Sequence, residues 1–453
     1  MALPKFIAKF NNRHFFSLAG NVMMSGFAMI IMGILYRFMP NKAEMGKWVF
    51  FQTTYTLVEM FRTGFLTTAT IKFYSGTDKD RAAEVIGSAW ILATAITFAL
   101  MLLNIPAILL INVMQVDKFG GMYFFLKWFG LSYLFSLPMF IANCVLQAES
   151  RFDRLLYMRA VNQLSLLLFI IVLIFMHRLT LETLVYANLL SLLTTSLYVL
   201  VRGWTNIWAW KRRTKNSIME LYHFGKFSVF GNISAYLLRV SDTYIINYML
   251  GNEAVAIYNV GVKLLEVIEI PLRSFVATAM PTLYTAFNQD KKAELIYTMQ
   301  KYAGILTFAL IPVCIGTVLF ADMAVYIVGG KQYIGTEAAN VLRLSMTFSL
   351  LFPADRFLAV GLDAIHKPNI NFIKLLVMVA VNIISDFAGI AIFGNIYGVA
   401  WATALPIIVG IWIGYIELRK YRHFKLMQMP VVGYRQLKIL LHEKFNFSKT
   451  LLP

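Results

Sequence analysis

Apolar runs of about 20 residues, separated by short polar breaks, fill nearly the whole chain, and a helix of that length spans the ~30 Å hydrocarbon core of a bilayer. The runs lie at 15–36, 48–71, 86–113, 122–146, 160–176, 181–201, 227–249, 254–283, 302–328, 338–361, 371–393 and 397–418. Transmembrane strands would be shorter and would alternate in polarity. The pattern therefore predicts an all-α integral membrane fold of about twelve spans. The first run, Phe15 to Tyr36, follows Lys5, Lys9 and Arg13 as a signal peptide would. It is too long for one and no small-residue cleavage site follows it, so it is expected to be the first spanning helix.

Composition agrees with this pattern. Hydrophobic residues make up 59% of the chain and charged residues 14%, too little polar surface for a soluble protein of this size. The net charge of +18 would suit a nucleic-acid partner if the cations formed one patch. Instead Lys and Arg crowd alternate inter-span segments, including Arg212, Arg213 and Lys215, and are sparse in the others. That is the positive-inside distribution. It places both termini in the cytoplasm, predicts a multi-pass protein of a bacterial inner membrane, and argues against nucleic acid. Cys144 and Cys314 fall inside apolar runs and the six histidines stand singly, so neither a disulfide framework nor a metal site is expected. The end of the chain, Arg419 to Pro453, mixes basic residues with Leu437, Ile439, Leu440, Leu441 and Phe445, as an amphipathic segment on an anionic leaflet would.

An internal repeat sets the domain organisation. A shift of 211 residues superposes Gly20-Asn21 on Gly231-Asn232 and Arg62-Thr63 on Arg273-Ser274. With one residue of slip, Ala83-Glu84 meets Ala293-Glu294. The expected layout is a six-helix bundle over 1–205, a basic cytoplasmic linker over 206–226, a second six-helix bundle over 227–418, and a cytoplasmic amphipathic basic tail over 419–453. Six helices per copy is an even number, so the copies enter the membrane in the same sense and are parallel repeats around a central cleft.

Chemistry is sought in the charges that the membrane should exclude, each costing roughly 2.5–3.5 kcal/mol at a helix centre on insertion scales. Arg62, Lys127, Arg239, Lys263, Arg273, Arg343 and Arg356 fall within the predicted spans. Lys263, Glu266, Glu269 and Arg273 lie within a roughly 120° arc of one continuous helix at about 100° per residue. Glu59 with Arg62, and Arg239 with Asp242, show the spacing of intrahelical ion pairs. Such pairs can simply reduce insertion cost and lock a bundle. Alternatively, the repeat-related Arg62 and Arg273 face each other across the cleft and, with Arg239 and Lys263, hold an anion such as a diphosphate, whose oxygens match the guanidinium fork. The acids Asp242, Glu59, Glu266 and Glu269 are then candidates to couple transport to protons or sodium. Pro271 is a candidate kink.

Arg239-Val240-Ser241-Asp242-Thr243-Tyr244, followed by Leu250-Gly251 and Ala256-Ile257-Tyr258, resembles the seventh helix and following turn of the oligosaccharide (polysaccharide) flippase family. That family belongs to the superfamily that also holds multidrug and toxin extrusion transporters and peptidoglycan-precursor flippases. Glu44-Met45-Gly46-Lys47-Trp48, Gly329-Gly330-Lys331-Gln332-Tyr333 and Tyr397-Gly398-Val399-Ala400-Trp401-Ala402-Thr403 extend the resemblance over nearly the whole chain. One departure is Trp48 where the family often has Tyr. The resemblance implies translocation of a polyprenyl-diphosphate-linked oligosaccharide, in surface polysaccharide or lipopolysaccharide synthesis, from the cytoplasmic to the outer leaflet by alternating access. It implies membrane lipids, a glycan polymerase and glycosyltransferases as partners, and no bound cofactor.

The alternative is a cation-coupled multidrug or small-molecule exporter. Phe15 to Tyr36 contains no Asp or Glu, whereas many multidrug members of the superfamily carry a coupling acid there. An enzyme is not expected, because the longest external connection, Arg37 to Lys47, carries only Glu44 as an acid.

Overall fold

The computed structural model describes residues 13–74, 77–114 and 120–449, and every regular element among them is a helix. The backbone of a lipid-embedded segment must satisfy its own polar groups, and the α-helix does so within one segment. The helices are α1 Arg13–Phe38, α2 Lys42–Tyr74, α3 Lys79–Met114, α4 Gly121–Phe135, α5 Leu137–Ala148, α6 Phe152–Phe175 and α7 Leu181–Val201. After a 3-10 turn at Ile207–Arg212 come α8 Lys215–Leu250, α9 Asn252–Lys263, α10 Glu266–Asn288, α11 Lys292–Leu319 and α12 Ala321–Gly329. A second 3-10 turn, Lys331–Tyr333, precedes α13 Ala338–Ser349, α14 Phe352–Ala364, α15 Pro368–Phe393, α16 Tyr397–Ala402, α17 Ala404–Tyr421 and α18 Gln428–Lys449.

Each predicted span coincides with one helix or a consecutive pair, in keeping with about twelve crossings of a multi-pass membrane protein. Among the described residues six helical segments, one of them α16 with α17, are long and apolar enough to cross, or seven if the bent pair α4–α5 counts as one. α2 and α8 fall outside that set, and they carry Glu59 with Arg62 and Arg239 with Asp242. Several spans are broken. α4 and α5 meet at 51°, where Pro138 in the first turn of α5 has no N–H to continue the ladder. The span predicted at 254–283 breaks at Leu264 and Leu265. Lys263 therefore belongs to α9 and the acids to α10, which corrects the expectation of one continuous helix. The break precedes Pro271, and α10 runs through that residue uninterrupted. Pro271's side chain lies outside the described residues, as do those of Gly20, Asn21, Gly231, Asn232 and Ser274, and Leu440, Leu441 and Phe445 of the tail.

Local chemistry fixes several helix ends. Thr180 Oγ1 accepts from the Thr183 N–H at 3.3 Å, and Thr183 Oγ1 accepts from the Thr180 N–H at 2.8 Å, a reciprocal cap that starts α7. Thr214 caps α8 through the Ser217 N–H, and Gly251 at φ 92° ends it.

Two compact units divide the contacts. One runs to Ala256 and includes Val328–Gln332, and the other takes Ile257–Ile327 with the chain from Tyr333 onward. The sequence layout puts the boundary at 206–226, and the contacts put α8 in the first unit. There α8 runs antiparallel to α2 along most of its length. Tyr236 Oη donates to the Thr53 carbonyl at 3.2 Å, and the Phe50 and Tyr244 rings meet edge to face at 5.4 Å. At one end Gly46 admits the Asn252 backbone, whose carbonyl oxygen would stand 1.7 Å from any Cβ. The first unit's core includes Leu66, Ile86, Trp90, Ile141 and Cys144. The second unit's core gathers Leu283, Leu295, Met299, Phe357, Leu362 and Leu418. Within the second unit the tail helix α18 packs on α11, with Gly304 and Gly433 in backbone contact and Phe308 beside Tyr434 at 5.7 Å.

Candidate functional site

Within the first unit one of the charges predicted inside the membrane, Arg62, is enclosed in a cluster with Glu59. Glu59 and Arg62 sit one turn apart on α2, and the Arg62 side chain is 0% exposed. Its Nη2 donates to both Glu59 oxygens, at 3.0 and 2.7 Å, and to Ser136 Oγ at 2.8 Å. Nη1 reaches the Tyr133 carbonyl at 3.4 Å and Thr97 Oγ1 at 3.5 Å. The guanidinium carbon lies 4.0 Å from the Tyr133 ring centroid and 4.4 Å from that of Phe140. The bend at Ser136 is what presents the Ser136 hydroxyl and the Tyr133 carbonyl to it. This guanidinium thus ties α2 to α3, α4 and α5. The arrangement pairs both terminal nitrogens within the protein, leaves Nε buried without a hydrogen-bond partner, and in this conformation gives Arg62 no face to a ligand. Glu59, 22% exposed, is the more accessible partner.

On α8, Arg239 is exposed and Asp242 half-buried. In the second unit, Lys263 pairs with Glu266 across the break between α9 and α10 at 2.6 Å. Arg273 pairs with Glu269 one turn away on α10. The Arg273 side chain is 65% exposed, so the repeat-related arginines are in opposite situations, one sealed and the other open. Arg343 is held by Asp322, Asn340 and the Val318 carbonyl, Lys127 pairs with Glu182, and Arg356 is exposed.

Sequence reading missed the most buried ion pair among the described residues of the second unit. Lys374 on α15, 3% exposed, donates to Asp355 Oδ1 on α14 at 2.5 Å, with Asp355 itself 14% exposed. It also missed Asp386, which is fully buried and accepts from Asn382 at 3.0 Å. The available signal was a lysine and an acid inside the run 371–393. A search for charge pairs along single helices passes over both, because the partner of Lys374 lies on another helix.

The motifs that carry the family resemblance act in this structure mainly as packing points. Glu44 Oε2 accepts the Leu181 N–H at 3.3 Å, at the start of α7. Gly330 stands at φ 78° against Arg37. Gln332 donates to the Tyr36 carbonyl. Tyr397 Oη accepts from Asn340 at 3.0 Å.

The helix order and the broken spans make up a fold that recurs in solved structures of transporters. The chain is similar to the inward-facing conformation of a multidrug resistance MATE family transporter of the MOP superfamily, with a TM-score of 0.74 and 15% identity over 88% of this chain and 94% of that one. It is similar to the lipid II flippase MurJ in an inward closed conformation, with a TM-score of 0.73 and 13% identity over 97% and 93% of the two chains. A MOP superfamily transporter from Pyrococcus furiosus matches at 0.62 and 14% identity, over 92% and 94%. Residues 34–338 match the family described as polysaccharide biosynthesis protein, and since this covers more than half of the sequence, the chain belongs to that family. No curated protein matches it.

Proposed function

We propose that this protein moves a polyprenyl-diphosphate-linked oligosaccharide from the cytoplasmic to the outer leaflet of a bacterial inner membrane by alternating access, for surface polysaccharide synthesis. The observation that carries this reading is the combination of a polysaccharide biosynthesis family match with a transporter fold in which cationic side chains lie within predicted spans. Of these, Arg239 and Arg273 are exposed and suit a diphosphate, for which the planar guanidinium fork offers paired donors. Lys263 adds a point charge beside Glu266. Arg62 acts on the substrate path through Glu59, by holding α2 in place. The acids Glu59, Asp242, Glu266 and Glu269 are the candidates for proton or sodium coupling. In this scheme the repeat copies 1–205 and 227–418 move against each other around a cleft.

The test is reconstitution in vesicles with a fluorescent polyprenyl-diphosphate sugar, read by a membrane-impermeant reagent that reports the leaflet. Movement of chemically intact lipid is expected. Protein-independent leaflet exchange, or a chemically altered lipid, would remove the proposal. A second reading, cation-coupled multidrug export, draws on the MATE fold match. It predicts ion-driven efflux of cationic dyes from the same vesicles and no movement of the sugar lipid.

A further inference from the structure

We propose that the first unit carries a headgroup site for an anionic phospholipid, in the cavity between the start of α3 and the 3-10 turn Ile207–Arg212. The cavity has a volume of about 310 Å³ and is lined by Tyr74, Lys79, Asn206, Trp208 and Arg212, among others. α3 continues from it as an apolar span that the protein hardly covers, so its first turns mark the level where hydrocarbon gives way to headgroups. Trp208 is 83% exposed and Trp210 is also exposed, next to the exposed Lys211, Arg212 and Arg213. An amphipathic indole beside clustered cations is the composition that interfaces and anionic headgroups select.

The wall of this cavity is built rather than draped. Asn206 at φ 46° and Gly203 at φ 68° turn the chain after α7. Trp90 Nε1 donates to the Thr205 carbonyl at 3.0 Å. Gly87 admits the Ala209 carbonyl oxygen, which would stand 2.2 Å from a Cβ. Arg212 is oriented by Asp80 at 2.6 Å. Asp80 is the acid opposing the site, and being 88% exposed it is well screened by water.

The second unit repeats the construction with different chemistry. Gln300, separated from Trp90 by the interval that separates Ala293 from Ala83, donates to the Lys425 carbonyl at 3.3 Å beside a cavity of about 540 Å³. Glu294 lines that cavity together with Arg422 and His423, and no tryptophan does. It therefore serves as an internal control for what Trp208 and Lys79 add to a single arginine. The assignment of the site to the cytoplasmic leaflet rests on the proposed orientation, but lipid capture does not.

The experiment uses the full chain in nanodiscs containing phosphatidylglycerol with a photoactivatable group on its headgroup. Peptide mapping should place the label on Tyr74, residues 77–86 and residues 206–212, with phosphatidylglycerol competing at least about fivefold better than phosphatidylcholine, as capture directed by the net negative charge of the headgroup requires. Lys79→Gln with Trp208→Ala, both at exposed positions, should cut labelling by about the same factor while leaving the melting temperature unchanged. Equal labelling of the Gln300 cavity, equal competition by phosphatidylcholine, or unchanged labelling in the folded double variant would overturn the site. Nanodiscs expose both leaflets, so a wrong orientation leaves this result intact and appears only as reversed labelling of a cysteine placed at Lys215 in oriented vesicles.

Discussion

Replacing Glu59 by Leu should unfold the first unit more readily than replacing Glu59 and Arg62 together. In the native cluster the only anion among the described residues that touches the 0% exposed Arg62 guanidinium is Glu59, at 2.7 and 3.0 Å. The remaining partners are the Ser136 and Thr97 hydroxyls, the Tyr133 carbonyl and two aromatic rings. Glu59→Leu leaves a charge sealed among neutral dipoles, a change that costs about 3–5 kcal/mol where a buried pair loses one member. That is a large share of the ~5–15 kcal/mol by which a domain is stable. Glu59→Leu with Arg62→Met removes both charges and should recover most of the loss, because well-packed apolar replacements of buried pairs are often neutral. Thermal melting in detergent, followed by size-exclusion profile, measures both variants. Transport by the double variant then separates the roles: recovery of stability and flipping together makes Arg62 a strut, and recovery of stability alone makes its charge part of the path. A single variant that melts like wild type, or a double variant no better than the single, would refute the reasoning.

Arg273→Lys should lower flipping about tenfold, or ~1.4 kcal/mol in the barrier, with little change in melting temperature because the side chain is largely exposed; the vesicle assay checks it. Lys374→Met should cost roughly 3–5 kcal/mol by stranding Asp355, and membrane abundance should fall, whereas Lys374→Met with Asp355→Leu should restore it. Gly433→Leu places a side chain against the Gly304 backbone, within 2.2 Å of its carbonyl carbon for the Cβ alone. It should free the tail, seen as faster proteolysis between Tyr421 and Gln428, and a wild-type cleavage rate would contradict the observed docking.

Sequence alone determined the elements of this protein that depend on near neighbours and on the solvent. Lipid requires each crossing segment to satisfy its own backbone, so apolar length was enough to place the spans from Phe15 to Leu418. Helical rise puts residues three or four apart side by side, so Glu59–Arg62 could be paired by counting, and that pair is present; Glu269 and Arg273, read on one helical arc, also pair, whereas Lys263 meets Glu266 across the break between α9 and α10. Tertiary structure decided whatever depends on a second helix. It sealed Arg62 beneath Ser136 and Tyr133 while leaving Arg273 open, joined Lys374 to Asp355, and broke the chain at Leu264 and Leu265. It also docked α18 on α11 through Gly304 and Gly433. The sequence repeat makes Arg62 and Arg273 equivalent, but burial depends on what each helix packs against, and the residues around the two differ.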